Sequence, residues 1–351
     1  MHKALRYLFI GALLPLLVHY VFYYQLTTNY TKDAFSETGF RKIYDTKVYK
    51  SRQLGKQLHL SLYRMLSSTS PMKTVQDKKN DESHPLNTKR LSIMDPEADP
   101  VFYLTYFLIA VIFTVLTAFI LLFLLDDKTL FTASDHFKDL LVSFFIMLIG
   151  FTQFVVTPYD TIGYFFQAAG MLFFLKYLKT KSSIHLIALI LTIAIATLNR
   201  ETSLLILSFM AAVYFYIYRF DLSWIKKMIL PVLAFLLPYL YLKLMQGGGS
   251  DFTDESKLAV NLDIRNTYAI RGFAFTAFVL YFILITINKF RTPLTKYFLV
   301  FALPYIVIIH AVGVMIEYRL WLPVIESAIV LSLIHPSIFL NNKKDMVAAK
   351  P

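Results

Sequence analysis

Cysteine is absent from this chain. Its absence excludes disulfides, thiolate metal sites and cysteine nucleophiles, and leaves the redox compartment open. The common phosphate-binding and hydrolytic signatures are missing too. No Walker A, GxGxxG, HExxH, GxSxG or Cys/His metal pattern occurs, so nucleotide-driven chemistry has no support. Charged residues are scarce, at 17% of 351 residues, and their scarcity is organised, because it leaves long apolar runs. There is no internal repeat and no segment that reads as a soluble domain with its own core.

What is present is apolar. Hydrophobic residues make up 57% of the chain, against about 45–50% in soluble domains. The first apolar run covers 4–24. It lacks an Ala-x-Ala-type cleavage site and is expected to stay as an anchor. Further runs cover 101–125, 139–157, 161–178, 184–199, 203–218, 228–245, 272–288, 297–315 and 319–339. The expected fold is an all-α integral membrane protein, a single polytopic domain over 1–351 with about ten transmembrane helices. The aromatic share of 16% fits lipid-facing surface and interfacial belts. A formal charge of +12 belongs to cytoplasmic loops and headgroup contacts in such a protein, and no nucleic-acid partner is expected.

Orientation follows from the short loops. With the N-terminus inside, the inner loops hold Lys128 and Lys138; Lys176, Lys179 and Lys181; Arg219, Lys226 and Lys227; Lys289, Arg291 and Lys296; and the tail holds Lys343 and Lys344. The shortest outer loops hold no basic residue, Arg200 alone and Arg319 alone. This bias predicts cytoplasmic termini. It also places Thr157-Pro158-Tyr159-Asp160, the Asn199–Thr202 turn, Glu317 with Arg319, and the 247–271 loop on the outer face. The large hydrophilic segment 27–99 is outer as well. Within it Val48, Leu54, Leu58, Leu62 and Met65 recur at helical spacing, predicting an amphipathic helix over 45–65 on the outer leaflet. Residues 67–100, with Pro71, Pro85, Pro96 and Pro100, read as a flexible connector, and Gly247-Gly248-Gly249-Ser250 as a mobile outer loop.

Each polar residue at this face has two readings. Arg200 and Glu201 are either a local ion pair in a turn capped by Asn199 or Thr202, or an anion site. In the second reading Arg200 binds phosphate and Glu201 orients it. Asp160 is a helix cap, or a carboxylate for a sugar hydroxyl, a metal or a basic partner. Glu317 and Arg319 are two apart and do not share a helical face. Glu326, seven beyond Arg319, needs a partner or a wet cavity, and His310 reads first as a packing residue. Glu37, Asp45 and Arg52 in the first loop are solvated surface groups or site residues; Asp45 also fits the start of the amphipathic helix. Lys257, Arg265 and Arg271 are further anion-binding candidates. The sequence requires no cofactor, and a divalent cation remains compatible with it.

Two sets of strings carry a family resemblance. Ile43-Tyr44-Asp45 followed by Tyr49-Lys50-Ser51-Arg52-Gln53-Leu54 resembles the Tyr…Tyr-x-x-Arg-x-Leu stretch after the first span of bacterial GT-C-like proteins. Thr157-Pro158-Tyr159-Asp160, Leu198-Asn199-Arg200-Glu201-Thr202 and the 317–323 segment are similar to short outer-loop motifs of that superfamily. GT-C proteins are multi-pass membrane glycosyltransferases. The resemblance implies inverting transfer of a sugar from a polyprenyl-phosphate donor to a glycan, lipid or protein acceptor at the extracytoplasmic face of a bacterial inner membrane. It implies a carboxylate base, Glu37 or Asp45 with Asp160 as the alternative. It also implies arginines on the lipid phosphate: Arg200 and Arg52, then Arg319. A membrane-embedded polysaccharide polymerase or ligase is the nearest rival. A lipid or sugar transporter is a second, but it predicts polar groups near the midplane, whereas the charges here lie at span ends.

Overall fold

A computed structural model describes residues 2–21, 23, 34–45, 47–69, 98–154, 156–245, 258–263, 265–290, 292–313, 317–335 and 339. Among these residues the chain is helical throughout, with one isolated β-bridge, Phe131 to Ile334. Helix α1 runs through His2–Arg6, a π-helical Tyr7–Leu13 and Leu14–Val21. Next come α2 (Glu37–Tyr44), a 3-10 turn (Lys47–Ser51) and α3 (Gln53–Ser67). The bundle continues with α4 (Pro100–Leu125), α5 (Asp135–Phe151), α6 (Asp160–Thr180) and α7 (Ser183–Asn199). A 3-10 turn (Glu201–Ser203) leads into α8 (Leu204–Tyr218), followed by α9 (Leu222–Met245), α10 (Thr267–Phe290) and α11 (Leu294–Val312). A last 3-10 turn (Tyr318–Trp321) opens α12 (Leu322–Leu333).

Among the described residues each expected apolar run overlaps a helix. Among the described residues five helices are long and apolar enough to cross a membrane: Lys3–Val21, Pro100–Leu125, Glu201–Tyr218, Leu222–Leu244 and Leu294–Ala311. This is the multi-pass helical character expected of an integral membrane protein. The remaining runs fall short of that standard for physical reasons. Helix α12 has 12 residues, which rise about 18 Å, well below a hydrocarbon core of about 30 Å. Helix α6 carries Gln167, Lys176 and Lys179 along its length.

The core forms where helices are enclosed on all sides. Every residue of α12 is buried, because α5, α6, α8, α10 and α11 pack around it. By contrast α9 shows Leu237, Leu240 and Leu244 outward, as a lipid-facing helix would. Starts are set locally. Asp99 caps α4, its carboxylate accepting the Val101 N–H at 2.7 Å, with Pro100 in the first turn. Ser36 caps α2 by accepting the Gly39 N–H at 3.1 Å.

The first loop departs from expectation. The predicted helix over 45–65 begins at Gln53, and Asp45 instead closes α2, its N–H donating to the Arg41 carbonyl. The α3 face held against the bundle is Gly55, Lys56, His59 and Leu60, while Leu58 and Met65 of the predicted apolar stripe point outward. Helix α2 lies in a stretch that the sequence left unassigned. The expected connector lies mostly outside the described residues, as do Gly247-Gly248-Gly249-Ser250 and Lys257.

Two contacts fix α3. His59 is fully buried among Phe40, Phe102 and Tyr106, with ring centroids 4.9, 4.6 and 4.1 Å away. Burial pushes its imidazolium down to about 3, so the ring is a neutral packing group. Gly55 lies directly on the Pro158 carbonyl, where a Cβ has no room. Gly55→Ala is therefore expected to lift α3 from the Thr157–Asp160 turn and to cost about 1–3 kcal/mol as overpacking. Thermal unfolding in detergent measures it, and an unchanged midpoint would mean that α3 moves freely over the turn.

Candidate functional site

One end of the bundle collects the polar residues because four chain breaks meet there: the start of α6, the turn between α7 and α8, the start of α12, and the approach to α3. Asp160 is the first residue of α6, where the positive end of the helix dipole favours a carboxylate. It is 4% exposed. Its two oxygens accept from two guanidiniums: Oδ1 from Arg200 Nη1, and Oδ2 from Arg319 Nη1 at 2.8 Å. Arg200 is extended (φ −166°, ψ 150°), which ends α7 and turns the side chain onto α6. Arg319 also donates to Glu317 Oε2 at 3.0 Å. Of the three partners expected for Asp160, the structure provides the basic one.

Around this triad sits an aromatic and amide layer. The buried Tyr159 ring lies between two guanidinium carbons, Arg52 at 4.6 Å and Arg200 at 5.3 Å from its centroid. Tyr49 stacks on it at 6.5 Å and Tyr44 meets it edge-on at 6.1 Å. Asn199, fully buried, donates from Nδ2 to the Tyr159 carbonyl at 2.9 Å and leaves Oδ1 without a partner. Arg52, in the link from the 3-10 turn to α3, faces Glu201 with Nε 3.5 Å from Oε2; that Nε–H makes no hydrogen bond. The Ser51 hydroxyl donates to Glu201 Oε1 at 3.4 Å.

Arg52, Arg200, Glu201, Ser51 and Thr197 line a narrow cleft that is closed on its far side by Tyr239, Leu242 and Lys243 of α9. Among the described residues three cations and one carboxylate border it, a formal balance of +2. Lys243 and Tyr239 were not singled out from sequence, and Tyr159 was named only within the Thr157-Pro158-Tyr159-Asp160 string. Lys243 was the one with a signal, a cation in the last turn of a helix that is apolar from Met228 to Leu242 and ends at the predicted outer face.

The other expected residues lie apart. The Glu37 carboxylate accepts from Arg41 Nη2 at 2.7 Å and from Arg64 Nη2 at 3.4 Å. The hydrogen bond from Arg41, with Arg64 adding to it against the cost of burial, holds Glu37 below its ordinary carboxylate range. Asp45 accepts from Lys56 Nζ at 2.7 Å and keeps 42% of its side chain exposed. It follows directly on Tyr44, which packs against Tyr159. Arg265 is 90% exposed and paired with Asp263, away from the triad, and Arg271 is exposed on α10. His310 Nδ1 lies 2.7 Å from the Ile306 carbonyl one turn back, a packing role. Glu326 is buried with neither oxygen hydrogen-bonded. Among the described residues no group of three or more His, Asp and Glu could hold a metal ion. No family model, curated protein or solved structure matches the chain.

Proposed function

We propose that the protein is a membrane glycosyltransferase that takes a sugar from a polyprenyl-phosphate donor at its extracytoplasmic face, in a bundle of about ten spans with both termini cytoplasmic. The observation that carries this reading is the cleft between Arg52, Arg200 and Lys243. It has an excess of positive charge and lies beside α9, whose outward Leu237 and Leu244 are 64% and 80% exposed. A lipid phosphate needs that combination, cations for the head and an apolar wall for the tail.

The cleft is narrow, and the long Arg52–Glu201 contact is the one a phosphate would replace. Arg200, held from behind by Asp160, would then present its remaining N–H groups without reorganising. The acceptor hydroxyl attacks the anomeric carbon as the bond from that carbon to the phosphate oxygen breaks. The lipid phosphate leaves with the electron pair, and the hydroxyl proton passes to a first-loop carboxylate. Each of the two faces two cations, Lys56 and Arg41 at Asp45 and Arg41 and Arg64 at Glu37; Asp45 is preferred for its position, directly after Tyr44, which packs on Tyr159. Asp160, saturated by Arg200 and Arg319, positions them.

The test is binding of a polyprenyl phosphate to purified protein in nanodiscs. Lys243→Ala removes a charged contact worth about 1.5–3 kcal/mol, so affinity is expected to fall roughly 10- to 150-fold. Equal binding by variant and wild type would sink the assignment of this cleft.

A further inference from the structure

We propose that Lys181 and Lys227, with the phenol rings of Tyr177 and Tyr218, form a binding site for the phosphodiester headgroup of an anionic phospholipid at the opposite end of the bundle. This does not depend on the glycosyltransferase reading. Helices α7 and α9 pack side by side and both begin at this end, which brings Lys181, just before α7, towards Lys227 in the opening turns of α9. Lys181 Nζ lies 6.0 Å from the Tyr177 centroid and Lys227 Nζ 5.4 Å from that of Tyr218.

Neither ammonium pairs with a carboxylate among the described residues. At this end Asp127 pairs with Lys179 at 2.8 Å, and Asp221 accepts the Leu222 N–H at 2.7 Å. The negative end of the α6 dipole accounts for one cation at Lys181, but not for a second facing it. Desolvation and the neighbouring charge of Lys227 both press the Lys181 ammonium below its ordinary value, as expected of like charges held close. Lys181 also occupies a left-handed backbone position (φ 55°, ψ 17°) at the end of α6, where glycine fits without cost.

The surroundings select a lipid over a soluble anion. On α7, Ile184 and Ile187 are 67% and 59% exposed; on α9, Leu230, three residues beyond Lys227 and so on its face, is 48% exposed. These apolar residues lead away from the lysine pair along both helices, so a headgroup at the lysines lays its acyl chains against them.

The test uses the full-length protein in zwitterionic detergent. Native mass spectrometry counts retained phosphatidylglycerol against phosphatidylcholine, and thermal unfolding reads the stabilisation each lipid gives. Lys181→Gly with Lys227→Gln keeps the backbone of the α6 cap and removes both charges. Retention of phosphatidylglycerol is expected to fall roughly tenfold or more. Lys226→Gln, one position away and exposed, is expected to change it less than about twofold. The proposal is overturned if the double variant retains the lipid as wild type does, or if Lys226→Gln loses as much, which would mean a diffuse basic surface. Stabilisation by inorganic phosphate equal to that by phosphatidylglycerol would overturn the lipid assignment in favour of a soluble anion.

Discussion

Asp160→Asn is expected to destabilise the protein by about 3–5 kcal/mol, read as a lower unfolding midpoint and loss of monodisperse protein in detergent. The substitution leaves Arg200 and Arg319, 6% and 5% exposed, facing each other without their shared carboxylate. Removing one member of a buried ion cluster is costly because the remaining charges keep their desolvation and lose their attraction. Arg265→Ala, in an exposed pair with Asp263, is expected to change nothing measurable. A third variant separates stability from function. Asp160→Leu with Arg200→Met and Arg319→Met replaces the triad by apolar groups, which often restores stability. Arg200 also lines the cleft, so the triple variant is expected to fold and still bind polyprenyl phosphate poorly. Full binding in that variant would reduce the triad to a structural tie.

Asp45→Asn is expected to lower turnover by roughly 10²- to 10⁴-fold while leaving donor binding near wild type, because it removes proton acceptance and keeps the side-chain shape. The Lys56 contact to Asp45 survives as a hydrogen bond to the amide. Glu37→Gln is expected to cost much less, since Glu37 stands with Arg41 and Arg64 and has no described contact with the Tyr159 layer. A larger loss for Glu37→Gln would reverse the assignment of the base. Full activity in both variants would remove the first loop from the chemistry.

Much of this end of the bundle was legible in the sequence. Asp160, Arg200 and Arg319 stand at the edges of apolar runs with almost no loop to solvate them, and the loop-charge bias put them on one face. Their pairing was not legible, because the extended backbone of Arg200 decides where its guanidinium goes. The first loop was legible as a helix but not in its start, which is Gln53 and not residue 45. In a soluble protein the stripe Leu54, Leu58, Leu62 and Met65 would face the core. Beside a lipid phase an apolar stripe can equally face outward, so periodicity gives the helix but not its buried side. The buried side of α3 is instead marked by Gly55 and His59, chosen for close approach and ring packing. Helix α2 had a readable start in Ser36 and an aromatic pair four apart, Phe40 and Tyr44, but its eight residues are too few for periodicity to stand out. Lys243 was lost inside an apolar run, since its role depends on where α9 ends.

The ion cluster that Arg6 of α1 makes with Asp126 and Asp139 sets an order of assembly. Those carboxylates lie 120 and 133 residues further along the chain. At about 5–20 residues per second, roughly 6–27 s separate the synthesis of the arginine from that of its partners. Over that interval the first helix holds its place at the membrane edge with its charge unanswered, while the whole first loop and α4 are made. Helix α1 is thus locked only once α4 and the start of α5 are made, and a chain stalled before Asp126 would leave it unfastened.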